Sequence, residues 1–197
     1  MTQDFRLGDV ASITAGQTFR GRSETDGEIG FAKLLQIKDV KEGVYSGGDL
    51  PWAAVEEERL TVRLRGGELL LPLRGNRSDT MLYLKRNEVP TTTPNQVAII
   101  TPYHENLNPF FLLWFLNSGK GRAQIDSMRT GSTVGHISVK ALRTIEITIP
   151  GQESQQSIAS VYENWLRQRE VLSEMLIRGA ELAETICYQM LNDFRGK

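Results

Sequence analysis

The residue types that most often perform chemistry are scarce in this chain. Its 197 residues include one cysteine, Cys187, and two histidines, His104 and His136. A single cysteine forms no internal disulfide and no Cys-rich zinc site, and two histidines are a poor basis for imidazole metal chemistry. Asn117-Ser118-Gly119-Lys120-Gly121 contains a Gly-Lys pair. A phosphate-binding loop, however, needs a glycine where Trp114 stands and Ser or Thr where Gly121 stands. Glu28 with Gln36-Ile37-Lys38 is the kind of spaced carboxylate and lysine that chance supplies, and Glu56-Glu57-Glu58 reads as a solvated turn. Asp9 and Ser12 have no histidine at a recognisable motif spacing. No catalytic residue, metal or cofactor is expected.

Binding is a better use of what is present. Leu73-Arg74-Gly75-Asn76-Arg77-Ser78 forms a tight, Gly-containing loop directly after an apolar run. Arginine forks pair with guanine in the major groove, and asparagine pairs with adenine. Gln36 and Lys38 follow Leu34-Leu35, and Arg129, Thr130, Ser132, Thr133 and His136 lie in a second polar, Gly-rich loop flanked by Lys120 and Arg122. Hydroxyls, loop N–H groups and basic side chains suit phosphate contacts. The net charge of −1 conceals a strong asymmetry. Residues 59–86 carry seven Lys/Arg against Glu68 and Asp79, and residues 120–143 carry five against Asp126, whereas the first 58 residues carry six basic and eleven acidic side chains. Phosphate responds to local potential, not to the sum over a chain. Charge alone is equally met by two solvated surfaces, and each loop taken singly by an ordinary exposed turn.

These loops need elements to hold them. The length fits one domain, or a domain of about 150 residues with an appendage. Hydrophobic residues at 40% and charged residues at 24% are globular values. The longest apolar run, 110–116, is far short of the ~20 residues that span a bilayer, and the N-terminus shows no signal peptide, so a cytoplasmic location is expected. Strand candidates are 6–13, which alternates and stops at Gly16, then 31–40, 60–64, 69–73, 97–100 and 145–149; each is short and bounded by turn residues. Residues 109–118 start at proline and stop at Asn-Ser-Gly, which suits a buried helix. The expectation is an α+β domain with an irregular, mostly antiparallel sheet over residues 1–150.

At Pro150-Gly151 the texture changes. Residues 152–194 contain no proline and one glycine, Gly179. Alternate steps of three and four residues from Tyr162 reach Trp165, Arg169, Leu172, Leu176, Gly179, Ala183, Ile186 and Met190. Ile158, Val161, Met175, Leu182 and Phe194 lie beside this seam. Such spacing puts one apolar stripe along a helix. At 1.5 Å per residue the helix would span roughly 65 Å, more than the preceding domain can cover. It either folds back over its own domain or forms a coiled coil with another chain. Gly179 costs about 1 kcal/mol inside a helix and marks a close helix crossing or a break into two helices.

Asn108-Pro109-Phe110-Phe111 is similar to the Asn-Pro-Pro-Phe/Tyr motif of amino-methyltransferases, but the second proline and an upstream Gly-rich cofactor loop are missing. A different resemblance covers almost the full length. Arg6-Leu7-Gly8-Asp9-Val10-Ala11-Ser12-Ile13-Thr14-Ala15-Gly16 resembles the domain opening of the specificity (S) subunits of type I restriction–modification systems. Gly67-Glu68-Leu69-Leu70-Leu71-Pro72-Leu73-Arg74-Gly75 resembles that family's Gly-Asp-Ile-Leu segment, with Glu68 for the usual Asp. The 109–118 helix, the stretch from Gly131-Ser132-Thr133 through Ile137-Ser138 and Leu142 to Pro150, and Gln155-Gln156-Ser157-Ile158-Ala159 follow in family order. The last is similar to the start of the spacer helix, normally Glu-Gln-x-x-Ile-Ala, with Gln155 for Glu. Each motif is weak alone; their order and spacing make the set strong.

The resemblance implies a target recognition domain (1–150) that reads half of a split double-stranded DNA site, then a dimerisation or spacer helix (151–197). Ordinary S subunits carry two such domains and two antiparallel helices that dock methyltransferase subunits; this chain has one of each. The implied layout is a homodimer through residues 152–194, with its seam running from Tyr162 to Met190, that rebuilds the pair, with a DNA methyltransferase subunit and a translocating restriction subunit as further partners in phage defence. The implied protein has no catalysis of its own. A competing reading is an interaction protein that scaffolds or displaces an S subunit without reading DNA.

Overall fold

The computed structural model describes residues 2–25, 30–45, 47–84, 89–103, 107–131 and 134–195. Glu28, His104, Ser132, Thr133 and the side chain of Phe194, all named above, lie outside the described residues, as do Lys85 and Arg86 of the first basic stretch. In chain order the elements are β1 (Gln3–Arg6), α1 (Leu7–Val10), β2 (Ala11–Ala15), β3 (Lys33–Leu34), β4 (Gly43–Val44), β5 (Glu68–Pro72), β6 (Met81–Tyr83), β7 (Thr91–Thr92), β8 (Val97–Pro102), α2 (Pro109–Asn117), α3 (Gly119–Ser127), α4 (Val139–Leu142), β9 (Glu146–Ile149) and α5 (Gln152–Arg195). The fold is α+β, with irregular and mostly antiparallel sheets and a long C-terminal helix.

The main sheet has the order β2-β8-β5-β6-β4, antiparallel except where β4 meets β6. β5 lies at its centre, and Leu69, Leu70 and Leu71 are all fully buried. A strand covered on both faces needs no polar alternation, which explains its unbroken leucine run. β1 pairs with β9 and closes the two ends of the first unit together, with Asp4 opposite Thr148 and the Thr148 hydroxyl donating to its carboxylate at 2.6 Å.

Several expected strands resolve differently. The alternation over 6–13 is interrupted by α1, whose single turn buries Leu7 and Val10 at i and i+3. Four residues fit both a period of two and a helical turn, so the pattern alone does not separate them. Residues 31–40 supply only β3 and a 3-10 turn, Ile37–Asp39. Residues 60–64 join no strand ladder; Leu64 makes one isolated bridge to Thr91.

The 109–118 expectation matches α2. Asn108 caps it by accepting from the Phe110 and Phe111 amides at 2.9 and 3.3 Å, with Pro109 in the first turn, where its missing N–H costs nothing. The chain then re-enters helix as α3, so Lys120 and Arg122 lie on a helix rather than in a loop flank. Ser118 caps α3 through the Gly121 amide, and a side chain at Gly121 would put its Cβ 2.1 Å from the Phe115 carbonyl oxygen. Only glycine permits so sharp a junction.

The chain divides into two compact units, 1–160 and 161–197. The division falls inside α5, beyond the Pro150-Gly151 change of texture, because the start of the helix belongs to the first unit. Gln155 there is 3% exposed: its carbonyl accepts from the Asn108 amide at 3.0 Å and its amide donates to the Pro150 carbonyl at 2.9 Å. A glutamate could not make the second bond, so the departure from the family residue is structurally used. In the second unit α5 continues without a break through Gly179, where an added Cβ would meet nothing within 4 Å.

Candidate nucleic-acid interface

The loop after β5 is stitched to the loop after α3. The Leu73 carbonyl accepts from the Ile137 amide at 2.9 Å, and the Gly75 amide donates to the Gly135 carbonyl at 2.9 Å. Thr130 and His136 exchange both backbone bonds, at 3.0 and 2.8 Å, and His136 also bridges Arg74. Gly75 adopts φ +93°, a left-handed turn that favours glycine. A Cβ on Gly135 would lie 3.1 Å from the Gly75 carbonyl oxygen and 3.3 Å from Asn76 Oδ1. Two polar loops, remote in sequence, thus form one surface.

Arg129 locks that surface from beneath. Its side chain is only 11% exposed. Its guanidinium donates to the Gly75 carbonyl at 2.5 Å, the Arg77 carbonyl at 2.5 Å and the Ser78 hydroxyl at 2.8 Å, and pairs with Asp126 at 3.2 Å. Ser78 also donates to Asp126. That hydroxyl, with Arg129 and the more distant Arg122 charge, holds the Asp126 carboxyl below the ordinary carboxylate value, against an opposing effect of partial burial.

A second network ties in the remaining segments. Arg122 donates to the Asn117 carbonyl at 2.9 Å and pairs with Glu42 at 2.8 Å and Asp79 at 3.1 Å. Asp79 also pairs with Arg77 at 3.1 Å, and Arg77 reaches the Val40 carbonyl at 2.5 Å. Val40 ends the 3-10 turn that Gln36 opens; Gln36 donates through its side chain to Glu24 at 2.6 Å, and its amide to Asp39 at 2.8 Å. The structure therefore gathers residues 36–42, 74–79, 117–126, 129–131 and 134–137 around shared charges.

This geometry divides the expected site residues. Arg74, Asn76, Thr130, His136, Lys38 and Lys120 are exposed. Arg77, Arg122 and Arg129 spend their guanidinium groups on internal carboxylates and carbonyls, and Gln36 is half-buried on Glu24. Arg122, expected as a phosphate contact, and Arg77, expected as a base reader, thus also hold internal partners, and the Arg77 side chain stays 45% exposed. Sequence reasoning missed Glu42, Ser78, Asp79 and Asp126 as their partners. A signal was present, since Asp79 and Asp126 are isolated acids inside otherwise basic stretches.

Along α5 the expected seam splits as well. Tyr162 is 9% exposed, Arg169 is half-buried, and Trp165, Leu172, Leu176, Ile186 and Met190 are 45–75% exposed. Gly179 and Ala183 lie on the same exposed stretch.

A platform of exposed cations and amides held by partly exposed ion pairs, carried on an α+β unit ahead of one long helix, is the build of a binding module. The family model of the type I restriction modification DNA specificity domain matches residues 2–174, and the chain belongs to that family. Solved structures share the fold. A chain from the work "Structural basis underlying complex assembly and conformational transition of the type I R-M system" superposes with a TM-score of 0.68 at 20% identity, over 93% of this chain and 43% of its own length. The HsdS subunit from Thermoanaerobacter tengcongensis gives 0.63 at 19% identity, over 88% and 39%. The type I S subunit from M. genitalium gives 0.62 at 13%, over 92% and 43%. This chain thus spans about two fifths of the length of the solved chains it resembles. No curated protein sequence matches it. Among the described residues no group of His, Cys, Asp and Glu is placed to hold a metal, and no helix is long and apolar enough to cross a membrane.

Proposed function

We propose that this chain reads one half of a split double-stranded DNA target through the stitched loops, and delivers a partner DNA methyltransferase subunit to it without catalysis of its own. Arg74, Asn76 and His136 are the base-reading candidates; Lys38, Lys120 and Thr130 are the phosphate candidates; Arg77, Arg122 and Arg129 shape the platform. A translocating restriction subunit would join the same complex. The second recognition domain is a second copy of this chain, held through the exposed stripe of α5.

The observation that carries this reading is the contrast between an exposed polar platform and an exposed apolar stripe on one chain. The first suits nucleic acid; the second suits a helical partner. An isologous pair places the same side chains on both copies, so two identical platforms would face the DNA about a two-fold axis. The recognised sequence is then an inverted repeat interrupted by unread bases. Mapping methylated sites in cells that express the chain with its methyltransferase tests this. An interrupted inverted repeat is expected; a split motif with unrelated halves would mean a different second recognition chain.

A further inference from the structure

The sheet carries a second polar surface at the opposite end of β5 from the loop platform. An open groove of about 690 Å³ lies over the β2–β8 face, lined by Thr14, Thr101, Thr61, Arg63 and Arg65 among others. Residues 60–65 form one of its walls. Leu60 and Leu64 are buried there and Val62 is half-buried, while Thr61, Arg63 and Arg65 are exposed. This alternation is that of extended chain, and it sets three polar side chains in a row on the solvent side.

The wall is held before any ligand arrives. Gln17, 5% exposed, donates to the Arg59 carbonyl at 3.0 Å and accepts from the Thr61 amide, the Thr61 hydroxyl and the Val62 amide at 3.0, 3.0 and 3.2 Å. Neither arginine is neutralised by a carboxylate among the described residues. The acidic group in the lining, Glu68, is buried, with its oxygens taken by the Arg65 and Gly66 amides at 2.7 and 2.6 Å. Arg63 Cζ lies 5.2 Å from the centroid of the Phe31 ring, a cation–π contact that helps place the side chain.

We infer that this groove binds the phosphodiester backbone of duplex DNA, gripping neighbouring phosphates of one strand with Arg63 and Arg65 while the loops at the far end of β5 read bases. Residues i and i+2 of extended chain stand about 6.6 Å apart, comparable with the step between neighbouring phosphates along a strand. Two guanidinium groups without a carboxylate partner among the described residues, beside threonine hydroxyls, match phosphate oxygens, which take charge-assisted bonds. The five residues of β5 separate the groove from the loops by about 17 Å. That is the rise of about five base pairs, so one recognition unit would hold the duplex at two places.

The inference rests on the DNA-reading proposal above, and the test separates them. The full chain is titrated against a fluorescent duplex of arbitrary sequence from low to physiological KCl. Arg63→Gln/Arg65→Gln should bind about tenfold more weakly and lower the slope of log affinity against log salt by about 1.8, since each phosphate contact contributes ~0.9. Arg63→Lys/Arg65→Lys should restore most of the slope. An unchanged slope in a double variant that melts like the parent overturns the groove alone. Loss of methyltransferase binding with an intact slope also overturns it, because the groove would then hold an acidic protein surface. A parent chain that binds no duplex at any salt overturns the DNA-reading proposal itself.

Discussion

The two units treat the same kinds of residue in opposite ways. In the first, the leucines and isoleucines of β5 and β8 and the apolar face of α2 are buried almost without exception. In the second, Val171, Leu172, Met175, Leu176, Ile177, Leu182, Ile186 and Met190 are all 45–75% exposed. Scattered apolar residues on a surface are ordinary, but a continuous run along one helix is not. A helix of 44 residues, about 66 Å long, has no means of burying such a run by itself. The first unit buries its own apolar side chains, whereas the second leaves its stripe exposed.

The sharpest way to break that contrast is to charge the stripe. Leu172→Glu/Leu176→Glu removes four large apolar side chains from a symmetric pair. At about 1.5–3 kcal/mol each, that is roughly 6 kcal/mol or more of association free energy. Light scattering should then fall from twice 22.1 kDa to 22.1 kDa. A particle of unchanged mass would mean that the copies meet elsewhere or not at all. Thermal unfolding of the first unit should barely move, because neither residue belongs to it.

Within the first unit the comparison is between arginines that build and an arginine that is free to read. Arg129→Ala leaves two carbonyls and the Ser78–Asp126 pair without their shared donor. Each orphaned group of this sort costs about 1–3 kcal/mol, so the melting temperature should drop by several degrees and DNA discrimination should blur. Arg74→Ala removes an exposed side chain. It should leave melting unchanged and cost about 1–3 kcal/mol on the cognate site, less on random duplex. Equal losses on both duplexes would remove Arg74 from the base-reading set.

The sequence marked elements that carry their own punctuation. α2 was legible because Asn108, Pro109 and Gly119 frame an apolar run, and α5 because one stripe persists without proline. α1, β4 and β7 were not, because two to four residues show no period and are fixed by neighbours remote in sequence. The candidate site was legible as segments, in that residues 74–78 meet residues 129–131 and 134–137. It was not legible as roles. An arginine beside a glycine turn has the same fork whether that fork ends on a guanine or on Asp79, and only the fold decides which is nearer. Arg63 and Arg65 lay inside a basic stretch already visible by charge, but their common solvent face depends on Leu60 and Leu64 finding the core.

The smallest effect should come from the acid that anchors the platform. Asp126 is held below the ordinary carboxylate value near 3.8, chiefly by the Ser78 hydroxyl and then by Arg129. The native state therefore favours the ionised form more than the unfolded chain does. That contribution is fully present above the ordinary value and is lost as pH falls through the depressed one. Other carboxylates titrate in the same window, so the informative quantity is the difference in melting temperature between the parent and Asp126→Asn. It should be constant and small above about pH 5, and should shrink toward zero as the solution is acidified below ~pH 4. Because the side chain is 56% exposed, solvent screens the pair and the difference should stay within a few degrees. A difference that does not change with pH would show that Asp126 serves only as a hydrogen-bond acceptor, a role asparagine can fill. The platform would then owe its rigidity to Arg129 and the loop backbones alone.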